Sequence, residues 1–426
     1  MNEKVVHYLC NDILFAAMNF DNQFFEWIET HKNEDPNKLR LRYHSGLSVD
    51  GVDYNIAIGH IETIKRGGQK LKKLEESGLM PEVLFPPFAL EQSSSSDTSI
   101  FHNSLIDKYS KKQKQIKILD MTCGLGIDSQ VFARAGYEVV SLEMNSIQAE
   151  IAKFNYRNLH NLTIINQDCI EFINNTDEHF DVIFIDPARR DSAGKRIYGI
   201  KDCLPNLIEL LPSLRKHTEL LIAKLSPMLD IKQTLRDLQS VEALHVVGSH
   251  GECKELVAIV NFYAGNNYDI EDVPITVNSS IGREAITFTL KQEKDEAQKQ
   301  CFMTPNVGNS LYVPDSCIMK AGCFATITDI FDIFQISKDS HLYSGEKGIK
   351  GFPGKEYEII EVVPWNRENS RILAKKWPNA KVTSRNFPIT SEELKIRLKL
   401  KESDCYHLFV TTDSDDKKLM IMTKRD

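Results

Sequence analysis

The sequence lacks any run of about 18 apolar residues, the length a helix needs to cross a bilayer, so no membrane partner is expected. It also lacks a CxxC pair and any Cys/His cluster at zinc spacing. Its nine cysteines are scattered from Cys10 to Cys405 and odd in number, which argues against a disulfide scaffold or zinc module and predicts a reducing, cytoplasmic setting with no metal. The opening MNEKVVHYLCNDILFAAM interrupts its apolar stretch with Asn11 and Asp12, so no secretory leader is expected. Positive charge is missing overall. With 52 Lys+Arg against 60 Asp+Glu, a formal net charge of −8, the chain is no histone-like polycation, although a local basic face stays open. What is present is average: 42% hydrophobic and 26% charged residues over 426 positions, room for about two to four domains.

Up to about Glu91 the apolar residues recur at helical spacing, first Ile13, Leu14, Ala17 and Met18, then Ala57, Ile61, Ile64, Leu71 and Leu74. The second set carries Lys65, Arg66, Lys70, Lys72 and Lys73 on its polar side, a solvated face or a phosphate-contacting one. Pro81, Pro86, Pro87 and the serine run 93–96 then break the helical period. From Ile116 short apolar runs alternate with helical stretches, the pattern of βαβ units. Strands are predicted over 116–120, 137–143, 162–168, 181–187, 220–226 and 243–248. A seventh, over 256–263, leaves no room for a crossover helix and should pair antiparallel with its neighbour. Beyond it, a strand at 285–290 and a charged helix after it suggest one small α+β module. The last hundred residues suggest another, with Ser391 capping a helix over SEELKIRLKLK.

The segment DMTCGLGIDSQVFARAG carries the strongest chemical signal. A glycine turn between a strand and a helix lets backbone N–H groups approach a ligand, and Gly124 and Gly126 suit that task. Ser129 stands where a dinucleotide fingerprint wants its third glycine, so a cofactor without a pyrophosphate, S-adenosylmethionine (SAM), fits better. Asp120, Thr122 and the two glycines belong to this turn. Glu143, with Met144 beside it, ends the second strand where a carboxylate can accept both ribose hydroxyls. Asp168, with Cys169, ends the third where it can meet an adenine amino group. Helix capping is the alternative for any one of these acids.

Asp186-Pro187-Ala188-Arg189-Arg190 closes the fourth strand. A carboxylate there can hold an amine toward an electrophilic methyl group and take its proton, so positioning carries the rate. Arg189 and Arg190 can stack on a base or bind phosphate, or pair with Asp191. Carbon-5 pyrimidine chemistry needs a thiol nucleophile, and neither DPARR nor KLSP (224–227) holds one; Cys123 and Cys253 are expected to be packing residues.

The ordered set EQSSS (91–95), DMTCGLGIDS (120–129), IDPARRD (185–191), KLSPMLD (224–230), GECKEL (251–256) and RNFP (385–388) resembles a bacterial family of class I SAM-dependent methyltransferases directed at RNA. The resemblance runs from about Pro81 to Leu400. It implies a Rossmann-like α/β methyltransferase sheet with an N-terminal helical region and C-terminal α+β modules. The expected divisions are a helical region at 1–92, a methyltransferase domain at 93–265, a ferredoxin-like module at 266–325 and a THUMP-like domain at 326–426. It further implies that Gln92 and Ser94 sit near the methionine end of SAM, that Asp186 and Arg189 face the substrate, and that Lys224 and Arg385 help bind it. Cys123 stands where relatives often carry a first glycine.

Charge points to the same partner. Residues 367–401 hold ten basic and three acidic side chains, interleaved with Trp377 and Phe387, and Lys395, Arg397 and Lys399 are candidates to grip rRNA or tRNA. A solvated lysine-rich helix is the plainer reading. Two other functions stay open: a methyltransferase acting on a protein or small molecule, and a non-catalytic SAM- or RNA-binding protein. The sequence does not fix the oligomeric state.

Overall fold

The computed structural model describes residues 20–43, 52–84, 87–111, 115–189, 199–249, 251–263, 269–282 and 284–425. The helix expected around Ile13 and Met18, and Arg190, lie outside them. The chain forms two compact units, the first comprising 1–225, 233–241 and 258–266, the second 226–232, 242–257 and 267–426.

In the first unit, helices α1 (Asn22–His31), α2 (Pro36–Arg42) and α3 (Tyr54–Arg66) start at Asp21, Asp35 and Asp53, whose carboxylates each accept backbone N–H groups of the first turn. Then follow α4 (Gly68–Glu76), α5 (Pro87–Gln92) and α6 (Ser96–Tyr109), the last opened by a Ser95/Thr98 capping box that explains the break at the serine run. Part of the basic face of α3 and α4 is used internally, while Lys65, Arg66 and Lys72 stay exposed. Lys70 donates to the carbonyls of Leu90 and Ser93, Lys73 pairs with Asp97, and Arg66 pairs with Glu62. Ala57, Ile61, Leu71 and Leu74 are buried as expected, whereas Ile64 is exposed.

The sheet of this unit has strands β1 (Lys117–Asp120), β2 (Glu138–Glu143), β3 (Leu162–Asn166) and β4 (Phe180–Ile185). A two-residue ribbon, β5 (Ala188–Arg189) with β6 (Cys203–Leu204), precedes β7 (Thr218–Leu225). The order is β3-β2-β1-β4-β7, every neighbouring pair parallel. Strands buried on both faces read as nearly unbroken apolar runs, as FDVIFI does. Helices α7 (Ile127–Arg134), α8 (Ser146–Asn155), α9 (Cys169–Asn175) and α10 (Leu207–His217) make the crossovers. The order reverses beside β1, the place where open α/β sheets bind ligands. The helical lead covers it. Phe24, Leu39, Ile58 and Ile61 share a core with Ile151 of α8, and Leu71, Leu74, Leu84 and Leu90 share one with Leu125, Ile127 and Val131 of the glycine turn and α7.

In the second unit, β8 (Val241–Ser249), the first half of β9 (Glu252–Asn261), β10 (Ile275–Asn278) and β11 (Ile286–Phe288) line up as β11-β10-β8-β9. β8 and β9, bonded neighbours joined by two residues, make the expected hairpin. A seven-stranded sheet follows, built from β12 (Ser310–Pro314), β13 (Phe334–Gln335), β14 (Tyr343–Gly345), β15 (Gly354–Pro364), β16 (Lys381–Ser384), β17 (Tyr406–Thr412) and β18 (Lys418–Lys424). Its order is β13-β14-β12-β15-β18-β17-β16, so it contains strands on both sides of residue 325. Helices α11 (Ser316–Ala321), α12 (Arg367–Lys376) and α13 (Ser391–Leu398) flank it. The cap of α13 is Thr390 rather than Ser391, because the Thr390/Glu393 box satisfies both backbone donors; the Ser391 hydroxyl instead accepts from the Ser384 N–H. Among the described residues, no helix is long and apolar enough to cross a membrane and no group of three or more His, Cys, Asp or Glu could hold a metal ion.

Candidate active site

The parallel register brings the C-terminal ends of β1, β2 and β4 to one edge, with Asp120 opposite Ser141 and Phe184. Out of that edge the chain turns through Gly124 (φ +55°) and Gly126 (φ +72°), both left-handed. The two glycines do different work. A Cβ on Gly124 would meet open space, so this is where a ligand can approach the backbone; a Cβ on Gly126 would strike the Tyr156 ring at 2.4 Å. Packing therefore excludes any side chain at Gly126.

Asp120 is also turned inward. It is 1% exposed and accepts from the Thr122 N–H at 3.0 Å and from the Ser129 hydroxyl, which lies 2.7 Å from the Ser141 hydroxyl. Burial pushes its carboxyl up to about 7, against the pull of those two hydrogen bonds. Asp120 shapes the turn rather than offering an open oxygen, and Ser129, at the missing glycine, is its anchor.

Glu143 holds the other side of the turn. One carboxylate oxygen accepts from the Gly124 N–H at 2.9 Å and the other from the Asn145 N–H at 2.8 Å, while burial raises its pKa. Each oxygen keeps acceptor capacity for a hydroxyl. Met144 next to it is 75% exposed. The strand predicted over 162–168 ends at Asn166, and Asp168 becomes the cap of α9; its Oδ1 accepts from Ile170 and Glu171, so the capping alternative describes that oxygen. Cys169 begins α9, and burial pushes its thiol up to about 12. Cys123 is buried among Ala152, Tyr156 and Ile164, a packing residue as expected. A carboxylate pair-acceptor, an open glycine and an exposed apolar side chain at one strand edge fit a nucleoside diol and base.

At the end of β4, the Asp186 N–H donates to Thr122 Oγ1 at 2.8 Å, tying β4 to the turn. Pro187 is buried behind it. The Asp186 carboxylate pairs with Lys224, the second-last residue of β7. Lys224 is 8% exposed and is the inward partner of Asp186. Lys224 also donates to the Ser94 hydroxyl at 3.1 Å; Ser94 donates to Asp128 at 2.5 Å, and Asp128 meets His102 Nδ1 at 2.8 Å. Burial drives the Asp128 carboxyl up, but His102 and Lys224 overcome it and hold the group near 2.

Asp128 and His102 were not singled out from the sequence. Their signal was indirect: a lysine inside the apolar run LLIAKLS implies buried carboxylates, and Asp128 follows the glycine turn. Of the remaining candidates, Arg189 faces Cys203 across the β5–β6 ribbon, placing a cysteine opposite the DPARR loop, although Cys203 is itself buried. The side chains of Gln92 and Arg189 lie outside the described set. In the second unit, Lys395 pairs with Glu402 at 2.7 Å, Arg397 and Lys399 are exposed, and Arg385 is half-buried in the loop after β16. Beside them Leu394 and Leu400 are buried, whereas Ile396 is 75% exposed.

Residues 112–263 match a methyltransferase domain model, 311–353 a ferredoxin-like domain and 354–425 a THUMP-like domain. The chain thus carries all three. A solved structure from Porphyromonas gingivalis W83, provisionally named as a methyltransferase, is similar over 96% of this chain and 100% of that one, at 28% identity and TM-score 0.79. Two curated proteins are similar over shorter stretches. An uncharacterized RNA methyltransferase of Mycoplasma mobile is 33% identical over 75 residues, 17% of this chain and 21% of that protein. The ribosomal RNA small subunit methyltransferase J of Francisella tularensis subsp. novicida is 32% identical over 87 residues, 18% and 36% respectively. The chain therefore spans well under half the length of these curated relatives.

Proposed function

We propose that this chain, with its methyltransferase, ferredoxin-like and THUMP-like domains, is a SAM-dependent methyltransferase that methylates a base of RNA at nitrogen. The observation that carries the reading is the Asp186–Lys224 pair set beside the Gly124–Glu143 turn. Gly124 and Glu143 would hold the nucleoside end of SAM, with Met144 and Asp168 about its base and Ser94 toward its methionine end. SAM supplies an electrophilic methyl group when bound. Asp186, fixed by Thr122 through its backbone and by Lys224 through its carboxylate, accepts a hydrogen bond from the acceptor amine and takes the proton that the methylated nitrogen releases. Lys224 keeps that carboxylate charged and aimed. Cys203 and Cys123 are buried, so neither offers an open thiol for carbon-5 attack.

Exposed Arg397 and Lys399 on α13 favour a polyanion over a metabolite. The names of the curated relatives and the THUMP-like match support RNA as the substrate. The division of the chain at 92/93 and 265/266 belongs to the same proposal. The test is nucleoside mass spectrometry of rRNA and tRNA from a deletion strain against wild type, beside SAM calorimetry on the purified protein. One methylated nucleoside should vanish from the deletion strain; unchanged profiles would exclude RNA as the substrate, and absent SAM binding would exclude the methyltransferase reading altogether.

A further inference from the structure

The GECKEL segment, residues 251–256, takes no part in the site described above, yet it brings two cysteines of the second unit together. Cys253, expected only to pack, is half-buried near the start of β9, and Cys317, in the first turn of α11, is fully buried. Two short hydrogen bonds clamp their segments. The Cys253 N–H donates to the Ser316 hydroxyl at 2.5 Å, and that hydroxyl donates to the Gly251 carbonyl at 2.9 Å. The β8–β9 hairpin is thereby fixed to the residue before Cys317. Gly248 of β8 leaves the space that the Cys317 sulfur fills, since a Cβ there would lie 2.3 Å from Sγ. Asp315 caps α11 and accepts from the Cys317 N–H at 2.9 Å, which holds the backbone of that cysteine as well. Within this frame the two thiols hydrogen-bond each other, Cys317 donating to the Cys253 sulfur.

The two sulfurs are chemically unequal. Donation from Cys317 and the nearby Lys320 ammonium hold the Cys253 thiol below its ordinary range, against burial, Asp315 and Glu255. The same hydrogen bond and burial push the Cys317 thiol up. Lys320 is anchored beside them by donating to the Leu229 carbonyl. The thiolate is the nucleophile in sulfur chemistry, so the sulfur that solvent reaches is also the more reactive one.

We infer that Cys253 and Cys317 are a reversible thiol–disulfide pair, Cys253 the sulfur that hydrogen peroxide oxidises and Cys317 the sulfur that resolves it. The Cys253 thiolate attacks one peroxide oxygen; the O–O bond breaks, a sulfenic acid forms, and the other oxygen leaves as hydroxide and is protonated to water. The Cys317 sulfur then attacks Cys253 Sγ. The S–O bond breaks, the S–S bond forms, and the Cys317 proton leaves with the oxygen as a second water. The thiols together lose two electrons, which the peroxide gains. The bond staples the β8–β9 hairpin to α11 and links the end of the methyltransferase match covalently to the ferredoxin-like match. It does not depend on which substrate is methylated.

The test uses the full reduced chain as wild type, Cys253→Ser and Cys317→Ala, with circular-dichroism melting as the folding control. After brief equimolar peroxide and alkylation of the remaining thiols, peptide mass spectrometry without reductant should find Cys253 bonded to Cys317. That product should exceed oxidation at the exposed Cys301 and Cys405 about tenfold and vanish on adding dithiothreitol. In Cys317→Ala, dimedone should label Cys253 as the unresolved sulfenic acid; in Cys253→Ser, Cys317 should stay a free thiol. Recovery of Cys253 and Cys317 as free thiols in the treated wild type overturns the inference, whatever happens at Cys301 and Cys405. Oxidation of wild-type Cys253 without a bond to Cys317 overturns it too. The wild-type result decides alone if either variant fails to fold.

Discussion

Lys224 and Asp186 show how a buried charge is kept. Lys224 faces Asp186 on one side and, through Ser94, Asp128 on the other, so its removal strands carboxylates in a poorly solvated place. Lys224→Met is expected to lower stability by roughly 3 kcal/mol in urea unfolding, and Lys224→Arg to recover part of it. The two acids around the turn titrate in opposite senses. Asp128, held near 2 against an ordinary 3.8, contributes stability above about pH 4 that fades as pH falls toward 2. Asp120, raised to about 7, binds its proton more tightly when folded, so stability declines as pH rises from about 4 through 7. Asp120→Asn should flatten that second limb. Urea midpoints at pH 4.5 and 7.5 check it: the difference between the two should be smaller in the variant than in wild type. Asp120 was visible in the sequence as a strand-end acid. Its direction was not, because pointing into the protein depends on Ser129 and Ser141, which only the paired strands bring to it.

At the scale of elements, the glycine turn and α13 make separable predictions. Gly124→Ala places a methyl group in open space on the ligand side, so it should cost about 1 kcal/mol of stability and a larger share of SAM affinity. Gly126→Ala drives a Cβ into Tyr156 and should cost roughly 2–3 kcal/mol with a proportionate loss of folded protein. Chemical denaturation beside SAM calorimetry separates the two. On α13, Arg397→Glu with Lys399→Glu should weaken RNA binding and flatten its salt dependence, whereas Lys395→Glu, whose wild-type partner is Glu402, should do less. Salt titrations of RNA affinity check this ordering. The strands were legible because parallel strands buried on both faces announce themselves as apolar runs. The end of β3 was missed by two residues, since Asp168 satisfies the first turn of α9 and so leaves the ladder. Ile396 is exposed because it lies two residues from buried Leu394, and positions i and i+2 fall on opposite faces of α13.

At the scale of the molecule, the net charge of −8 conceals an uneven distribution, with ten of the basic side chains in residues 367–401. RNA association should therefore depend on that segment, and a chain truncated before residue 367 should lose most RNA affinity if the remainder stays folded; anisotropy with a circular-dichroism control checks it. The alternation of short apolar strands with helices could be read from pattern alone, but the joining of strands on both sides of residue 325 into one sheet could not. The line from His102 to Asp186 could not either, because its members are drawn from α6, α7, the serine run, β7 and the residue after β4, and no local spacing relates them.

The contact between Gly126 and Tyr156 has a consequence for descent. The Tyr156 hydroxyl donates to the Leu125 carbonyl at 2.7 Å and receives from Gln130, so the ring fills the space a side chain at 126 would need while bracing the same turn. The two positions form one unit of inheritance. In related chains, a residue larger than glycine at 126 should appear only with a smaller one at 156, and a lineage crossing from one pair to the other must pass through a weakened turn.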